Sequence, residues 1–262
     1  MDKYKLTRQR QSFVFSKKGV PYDYDPPDVI NLLTKGRKDI AYLEIGVDEG
    51  ATFDNIENVQ IKHGVDPFGG SQNITHRMTS QMFFVMNSRF FGNKYDIIFI
   101  DAIHLDEFVS YEIEESLKIL KDDGFIVLHD TCPLFENAQK VLEHDFRNIL
   151  DNVICQQEKD RMTWSENTAA SNPIGYNGDC WRTVAKYMSQ TDYTIFSIPN
   201  ACVTIISPTK LEKFHPKQRC DSWEELKWSN YYEDFREIMN PISMSYFEQH
   251  IQDYLQETND EA

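Results

Sequence analysis

Residues 94–133 read KYDIIFIDAIHLDEFVSYEIEESLKILKDDGFIVLHDTCP. Tyr95–Ile100 is an almost unbroken apolar run that stops at Asp101, which suits a strand buried on both faces of a parallel sheet. Over Glu107–Leu120, apolar residues recur at helical spacing (Phe108, Ile113, Leu117, Leu120), and Val109 and Ile119 widen the face. Asp122, Asp123 and Gly124 break that helix. Phe125–Leu128 is a second buried strand, ending at His129 and Asp130. The stretch is therefore one β-α-β unit with polar residues where both strands end. In open α/β sheets, ligands bind outside the carboxyl ends of strands. Asp101, His104, His129 and Asp130 are expected to face one crevice.

The chain before this unit begins the same kind of fold. Met1–Gly19 is locally basic and reads as a frayed, solvated terminus or as an arm contacting an acidic partner or the acidic body. Asp28–Leu33, behind Pro26 and Pro27, reads as a short helix. Asp39–Gly50 is DIAYLEIGVDEG: Ile40–Ile45 is a strand, and Gly46 opens a turn into a helix near Ala51–Asn58. Strand, glycine turn and helix start form the first unit of a nucleotide-binding sheet, because glycine lets the backbone approach a ligand closely. Gly46-x-x-x-Gly50 gains weight from the next strand, Ile61–Val65, which ends in Asp66, twenty positions after Gly46. An acid there commonly accepts hydrogen bonds from both ribose hydroxyls; the plainer alternative is a turn residue before Pro67. A third strand is expected near Thr75–Thr79. Ser80 and Gln81 follow it, where a purine edge could sit, unless Ser80 only caps the next helix.

After the unit, Phe135–Leu150 is amphipathic and Cys155–Asn177 is long, polar and irregular, as lids and binding loops are. Trp164 within it either covers a substrate or packs locally. Gly175–Arg182 leads into a helix through Met188, with Asp179 either its cap or an active-site acid. Tyr193–Ile198 and Ala201–Ser207 are strands joined by Pro199-Asn200, a link that permits only an antiparallel hairpin. Leu211–Ala262 is acidic, with a helix start at Ser222 and a helix over Ser245–Gln256 that puts Phe247, Ile251, Tyr254 and Leu255 on one side. The chain thus divides into an arm and helix (1–38), a sheet domain (39–208, with an insertion at 155–177) and an acidic helical extension (209–262).

Composition narrows the partners. A formal net charge of −15 argues against a nucleic-acid backbone as ligand. Five scattered cysteines without a CxxC pair imply reduced thiols, a cytoplasmic setting and no zinc site. No apolar run is long enough to span a bilayer, and the N-terminus has no apolar signal core. The expected partner is a small molecule, not a nucleic acid or a membrane, with self-association left open.

YLEIGVDEGAT, HGVDPF, THRMTSQMFF, YDIIFIDAIH and GFIVLHDTCP occur in the order seen in class I S-adenosylmethionine-dependent methyltransferases. They most resemble the methyltransferase domain 24 group, whose pattern ends in IDG-x-H and HD and whose relatives include sugar O-methyltransferases of macrolide and aminocoumarin pathways. The resemblance covers roughly 40–207, including an NGD-x-W segment at 177–181. Asp48 departs from the second glycine of GxGxG, Ala102 from the glycine after Asp101, and Gln81 from an acid. The resemblance implies a Rossmann-like, mostly parallel sheet with a terminal antiparallel hairpin, S-adenosylmethionine as cofactor, and Glu44, Gly46, Gly50, Asp66, Ser80 and Asp101 around it. The implied activity is O-methylation of a small polar acceptor such as a sugar or glycosylated metabolite. An NAD(P)-dependent oxidoreductase and a non-catalytic cofactor-binding subunit are the competing readings.

A sugar hydroxyl is a poor nucleophile and needs a base or a metal. Histidine suits the base near neutral pH. Magnesium or manganese prefers oxygen ligands, and Asp101 and Asp130 could share one. In catechol-type methyltransferases a similar strand-end acid binds metal and a lysine three positions later is the base; His104 holds that offset here. His129 and Asp130 either join the catalysis or fix the loop and the cofactor's methionine end.

Overall fold

The structure is a computed structural model that describes residues 23–133, 177–216 and 223–260. Helix α1 (Pro26–Thr34) starts with a proline whose missing N–H costs nothing at that position, while the Asp28 carboxylate accepts from the Asp25 N–H (2.9 Å). The strands are β1 (Ala41–Ile45), β2 (Ile61–Val65), β3 (Tyr95–Ile100), β4 (Leu120–Leu128), β5 (Thr194–Ile198) and β6 (Val203–Ser207). They form one sheet in the order β2-β1-β3-β4-β6-β5. β1 to β4 pair in parallel, and β6 runs antiparallel to both β4 and β5. The expected mostly parallel sheet with a closing hairpin is what the chain builds, and the reversed β6 departs from the all-parallel sheet of a dinucleotide dehydrogenase.

Alternation along the strands sorts the core into two layers. On one face, Leu43, Ile45, Ile98, Ile100, Ile126 and Leu128 meet α2 (Ser80–Met86), α3 (Asp106–Ile119), α4 (Cys180–Gln190) and the short helices α5 (Trp228–Glu233) and α6 (Phe235–Met239). On the other, Tyr42, Ile97, Phe99, Phe125 and Val127 meet α1 and α7 (Met244–Asp260). α7 buries Phe247, Ile251 and Leu255, each worth on the order of 2 kcal/mol, and Gln252 donates to the Leu32 carbonyl (2.8 Å). The acidic C-terminal residues therefore complete the second helical layer.

Several local expectations are corrected. The helix near Ala51–Asn58 is only a 3-10 turn, Phe53–Asn55; Asp54, Asn55 and Asn58 favour turns over helix, and Asn58 has φ 57°. The third strand reduces to a bridge between Val65 and His76, because Met78 N–H turns back to the His76 carbonyl (3.0 Å) and Thr79 is already the helix cap. β4 begins at Leu120, pairing with Tyr95 before the register shifts to Ile97–Phe125, and Lys121–Gly124 absorbs the shift. The hairpin link is longer than Pro199-Asn200: a 3-10 turn over Pro199–Ala201 and Cys202 at φ 54° intervene. The helix expected from Ser222 starts at Trp228. The N-terminal arm, the helix over Phe135–Leu150 and, except for Asn177, the 155–177 insertion with Trp164 lie outside the described residues.

Candidate active site

Backbone pairing continues past the strand ends and builds the site. Gly46 N–H donates to the Val65 carbonyl (2.9 Å), Asp101 N–H to Ile45 (2.8 Å) and His129 N–H to Ile100 (3.1 Å). Each residue after a strand is thus hung on the neighbouring strand. Gly46 sits at φ 89°, and a β-carbon there would collide with the Asp101 carbonyl. Only glycine lets the β1 and β3 exits touch.

Beside this turn, Asp66 accepts four backbone N–H groups. Val47 (3.1 Å) and Asp48 (2.9 Å) donate to Oδ2, and Phe68 (2.8 Å) and Gly69 (2.5 Å) to Oδ1. The four donors fill the carboxylate's acceptor capacity, so ribose hydroxyls would bind there by displacing some of them. Gly50 (φ 87°) and Asp48 (φ 45°) complete this loop. Glu44 is buried, and the Tyr42 hydroxyl donates to it. Burial pushes its carboxyl up to about 8, against the lowering effect of Tyr42. Thr79, whose hydroxyl accepts from Met82 N–H (3.3 Å), caps α2, so Ser80 is the helix's first residue and not its cap. The Ser80 hydroxyl donates to Gln81 Oε1 (3.5 Å).

The four polar residues of the β-α-β unit come together. His129 Nδ1 lies 3.0 Å from Asp101 Oδ1 and 3.7 Å from Asp130 Oδ2. His104 spans the same two acids, with Nε2 3.3 Å from Asp101 Oδ1 and Nδ1 3.3 Å from Asp130 Oδ2. Burial alone would lower both imidazoles. The Asp101 and Asp130 carboxylates outweigh it and carry His129 to about 10, and they raise His104 too. In turn, burial would raise Asp101, but the His129 charge and bonds from both imidazoles hold its carboxyl well below the usual range. The cluster is two carboxylates balanced by two imidazoles at one sheet edge.

Sequence reading missed two members. Asn177 Nδ2 donates to Asp130 Oδ1 (2.5 Å) and lies 3.4 Å from Cys202 Sγ. Cys202 Sγ is 3.9 Å from the same carboxylate oxygen. The NGD segment carried a signal for Asn177, whereas only the hairpin geometry brings in Cys202. Asp179 is corrected: its side chain does not cap its own helix, α4, but accepts from the Asp106 N–H of α3 (2.8 Å). Burial pushes its carboxyl up to about 6.

Asp101, His104 and Asp130 offer ligand atoms that all lie within 4.8 Å of one another. Two carboxylates and an imidazole fit magnesium or manganese better than a thiophilic ion. Methyl transfer from a sulfonium needs a close glycine turn, a polar strand edge and a held acceptor, and the first two are present here. Among the described residues no helix is long and apolar enough to cross a membrane.

A family comparison agrees with this geometry. A family model described as Methyltransferase domain (Methyltransf_24) matches residues 43–131, which contain both strand exits and the acids and imidazoles between them. A search of curated proteins finds no match. Among solved structures, the O-methyltransferase from Bacillus cereus in complex with SAH aligns at 12% identity and TM-score 0.41, over 77% of this chain and 90% of that one. The MycE methyltransferase from the mycinamycin biosynthetic pathway, in complex with Mg and SAH, aligns at 14% identity and TM-score 0.37, over 79% of this chain and 54% of that one. Residues 43–131, which span the glycine turn, Asp66 and the Asp101–Asp130 cluster on a sheet closed by an antiparallel strand, are thus similar to a methyltransferase domain.

Proposed function

We propose that the enzyme methylates a hydroxyl oxygen of a small polar acceptor, such as a sugar or glycosylated metabolite, with His104 as the base. The observation that carries this reading is the imidazole of His104 held between Asp101 and Asp130 at the strand edge beside Gly46. An imidazole so held can take a proton in a fixed direction, and the acids stabilise the imidazolium that results. Asp101 is shared with His129, which fixes the carboxylate's orientation. Asp101 and Asp130 would hold magnesium or manganese; such an ion supplies Lewis acidity toward the acceptor hydroxyl and neutralises the carboxylates that otherwise retain the His104 proton. His104 serves as base in this reading, not as a metal ligand. The cofactor would lie along the Gly46–Gly50 turn, with Asp66 releasing loop N–H groups to take the ribose and Ser80 near the adenine end. The acidic surface supports a small molecule over a nucleic acid as partner. An acceptor screen read by mass spectrometry tests this: sugars or glycosides should gain one methylene mass in the presence of S-adenosylmethionine. Gain confined to amine or thiol acceptors would refute O-methylation.

A further inference from the structure

We infer that Asn177, Gly178 and Asp179 form a clamp that fixes His104 and Asp130 relative to one another. Three consecutive residues, far in sequence from both, each touch a different part of the pair. Asn177 donates its side-chain N–H to Asp130 Oδ1 (2.5 Å), which leaves Oδ2 turned toward His104 Nδ1 (3.3 Å). Gly178, at φ 58°, lies so close to His104 that a β-carbon would overlap its carbonyl. Asp179 N–H donates to that same carbonyl (3.2 Å). The Asp179 carboxylate then accepts from Asp106 N–H (2.8 Å), at the start of the helix that follows His104. The carbonyl of the base and the start of the helix that follows it are therefore tied to one tripeptide, which also holds the acid across from it. Asn177 is buried, so its bond to Asp130 is sheltered from competing water.

A side chain in the middle of an oxygen-rich site has several rotamers within about 1 kcal/mol of one another, and a functional group must be held to one of them. His129 does not supply this for His104, since it is turned to the acids and the Phe99 ring. The clamp does, through the His104 carbonyl and the Asp106 N–H that follows it. These are positioning residues: they act through the His104 backbone and the Asp130 carboxylate. The consequence for turnover rests on His104 being the base, but the clamp itself does not.

The test is imidazole NMR of nitrogen-labelled enzyme at fixed pH with S-adenosylhomocysteine added, the His104 signals being assigned by their loss in His104→Gln. Asn177→Ala and Asp179→Ala should each shift or broaden the His104 ring signals while those of His63 and His76, on and beside the β2 edge, stay in place. Asp179→Asn keeps an acceptor for Asp106 N–H and should restore the wild-type signals. If Asn177→Ala fails to fold, the isosteric Asn177→Asp, which sets a carboxylate against Asp130, makes the same comparison and should move the His104 signals further. His104 signals that overlay the wild type in both the Asn177 and the Asp179→Ala variants would overturn the clamp. Wild-type methyl transfer by His104→Gln would overturn the base assignment instead and leave the NMR result standing, so the two failures are distinguishable.

Discussion

Replacing Glu44 with glutamine should make the protein more stable, and increasingly so as pH rises. Glu44 sits within β1 at 1% exposure, among Tyr42, Phe53 and Phe99. Burial carries its carboxyl from an ordinary 4.5 to about 8, although the Tyr42 hydroxyl and the Lys62 charge pull the other way. The folded state therefore binds the proton more tightly than the unfolded chain does. Below pH 4.5 both states are protonated and the residue contributes no pH dependence. Between 4.5 and 8 the unfolded chain ionises first, so stability falls by about 1.36 kcal/mol for each pH unit. The loss reaches on the order of 4–5 kcal/mol at pH 8 and is constant beyond. Glutamine cannot ionise and still offers an acceptor to Tyr42. The variant should thus part from the wild type progressively above pH 4.5, ending roughly 8–20 °C higher in melting temperature near pH 8, at 2–4 °C per kcal/mol. Urea unfolding of both proteins from pH 4.5 to 8.5 measures the difference directly. A constant gap between the two stability curves across that range would refute the reasoning, because it would mean that Glu44 titrates alike in both states. Unchanged S-adenosylmethionine affinity would further remove Glu44 from the cofactor's contacts.

His104→Ala should lower turnover by about 10²–10⁴-fold at saturating acceptor while S-adenosylmethionine binding by calorimetry stays near wild type; equal losses in both would point to a collapsed site. Exhaustive chelation should abolish methyl transfer and added magnesium or manganese should restore it, whereas full activity after chelation would eliminate the metal and spare the base. Asp66→Ala strands four backbone N–H groups, so it should weaken cofactor binding by about 1.5–3 kcal/mol and loosen the Gly69 region in hydrogen exchange; unchanged affinity in a folded variant would take Asp66 out of the ribose site. Gly46→Ala should cost both folding stability and cofactor affinity, because its β-carbon meets the Asp101 carbonyl, and a wild-type melting temperature would show that the strand exits can move apart.

Much of the sheet was legible because its signals are local. Tyr95–Ile100 appears as a strand with the bounds its apolar run announces, and the α3 spacing predicted the face that Val109 and Ile113 bury. The convergence of Asp101, His104, His129 and Asp130 was also legible, since it follows from parallel pairing and from where each apolar run stops. What the sequence hid depends on contacts between distant segments. Thr75–Thr79 carries β-branched residues at its ends but has only one bridge to make, so a strand expectation there had nothing to oppose it. Asp179 looked like a cap for the helix it precedes; only the packing of α4 on α3 reveals that it serves the other helix. Glu44, implied as a cofactor contact by resemblance, is also buried beside Tyr42, because alternation along β1 places the two on one face. Cys202 offered no local cue at all.

Asp130 and Cys202 both adopt φ 54°, a left-handed backbone that side-chain-bearing residues enter at a cost of about 1–2 kcal/mol. They face each other across one carboxylate oxygen. A selection for heat tolerance that put glycine at position 130 would relieve the backbone but would strip away one of the two carboxylates that balance His104 and His129. Such a gain would be won from the residue that holds His104 in place. Consensus or directed-evolution campaigns on this enzyme would do better to leave the strand edge untouched and look for stability in the helical layers, where the backbone is at ease and no proton has to be moved.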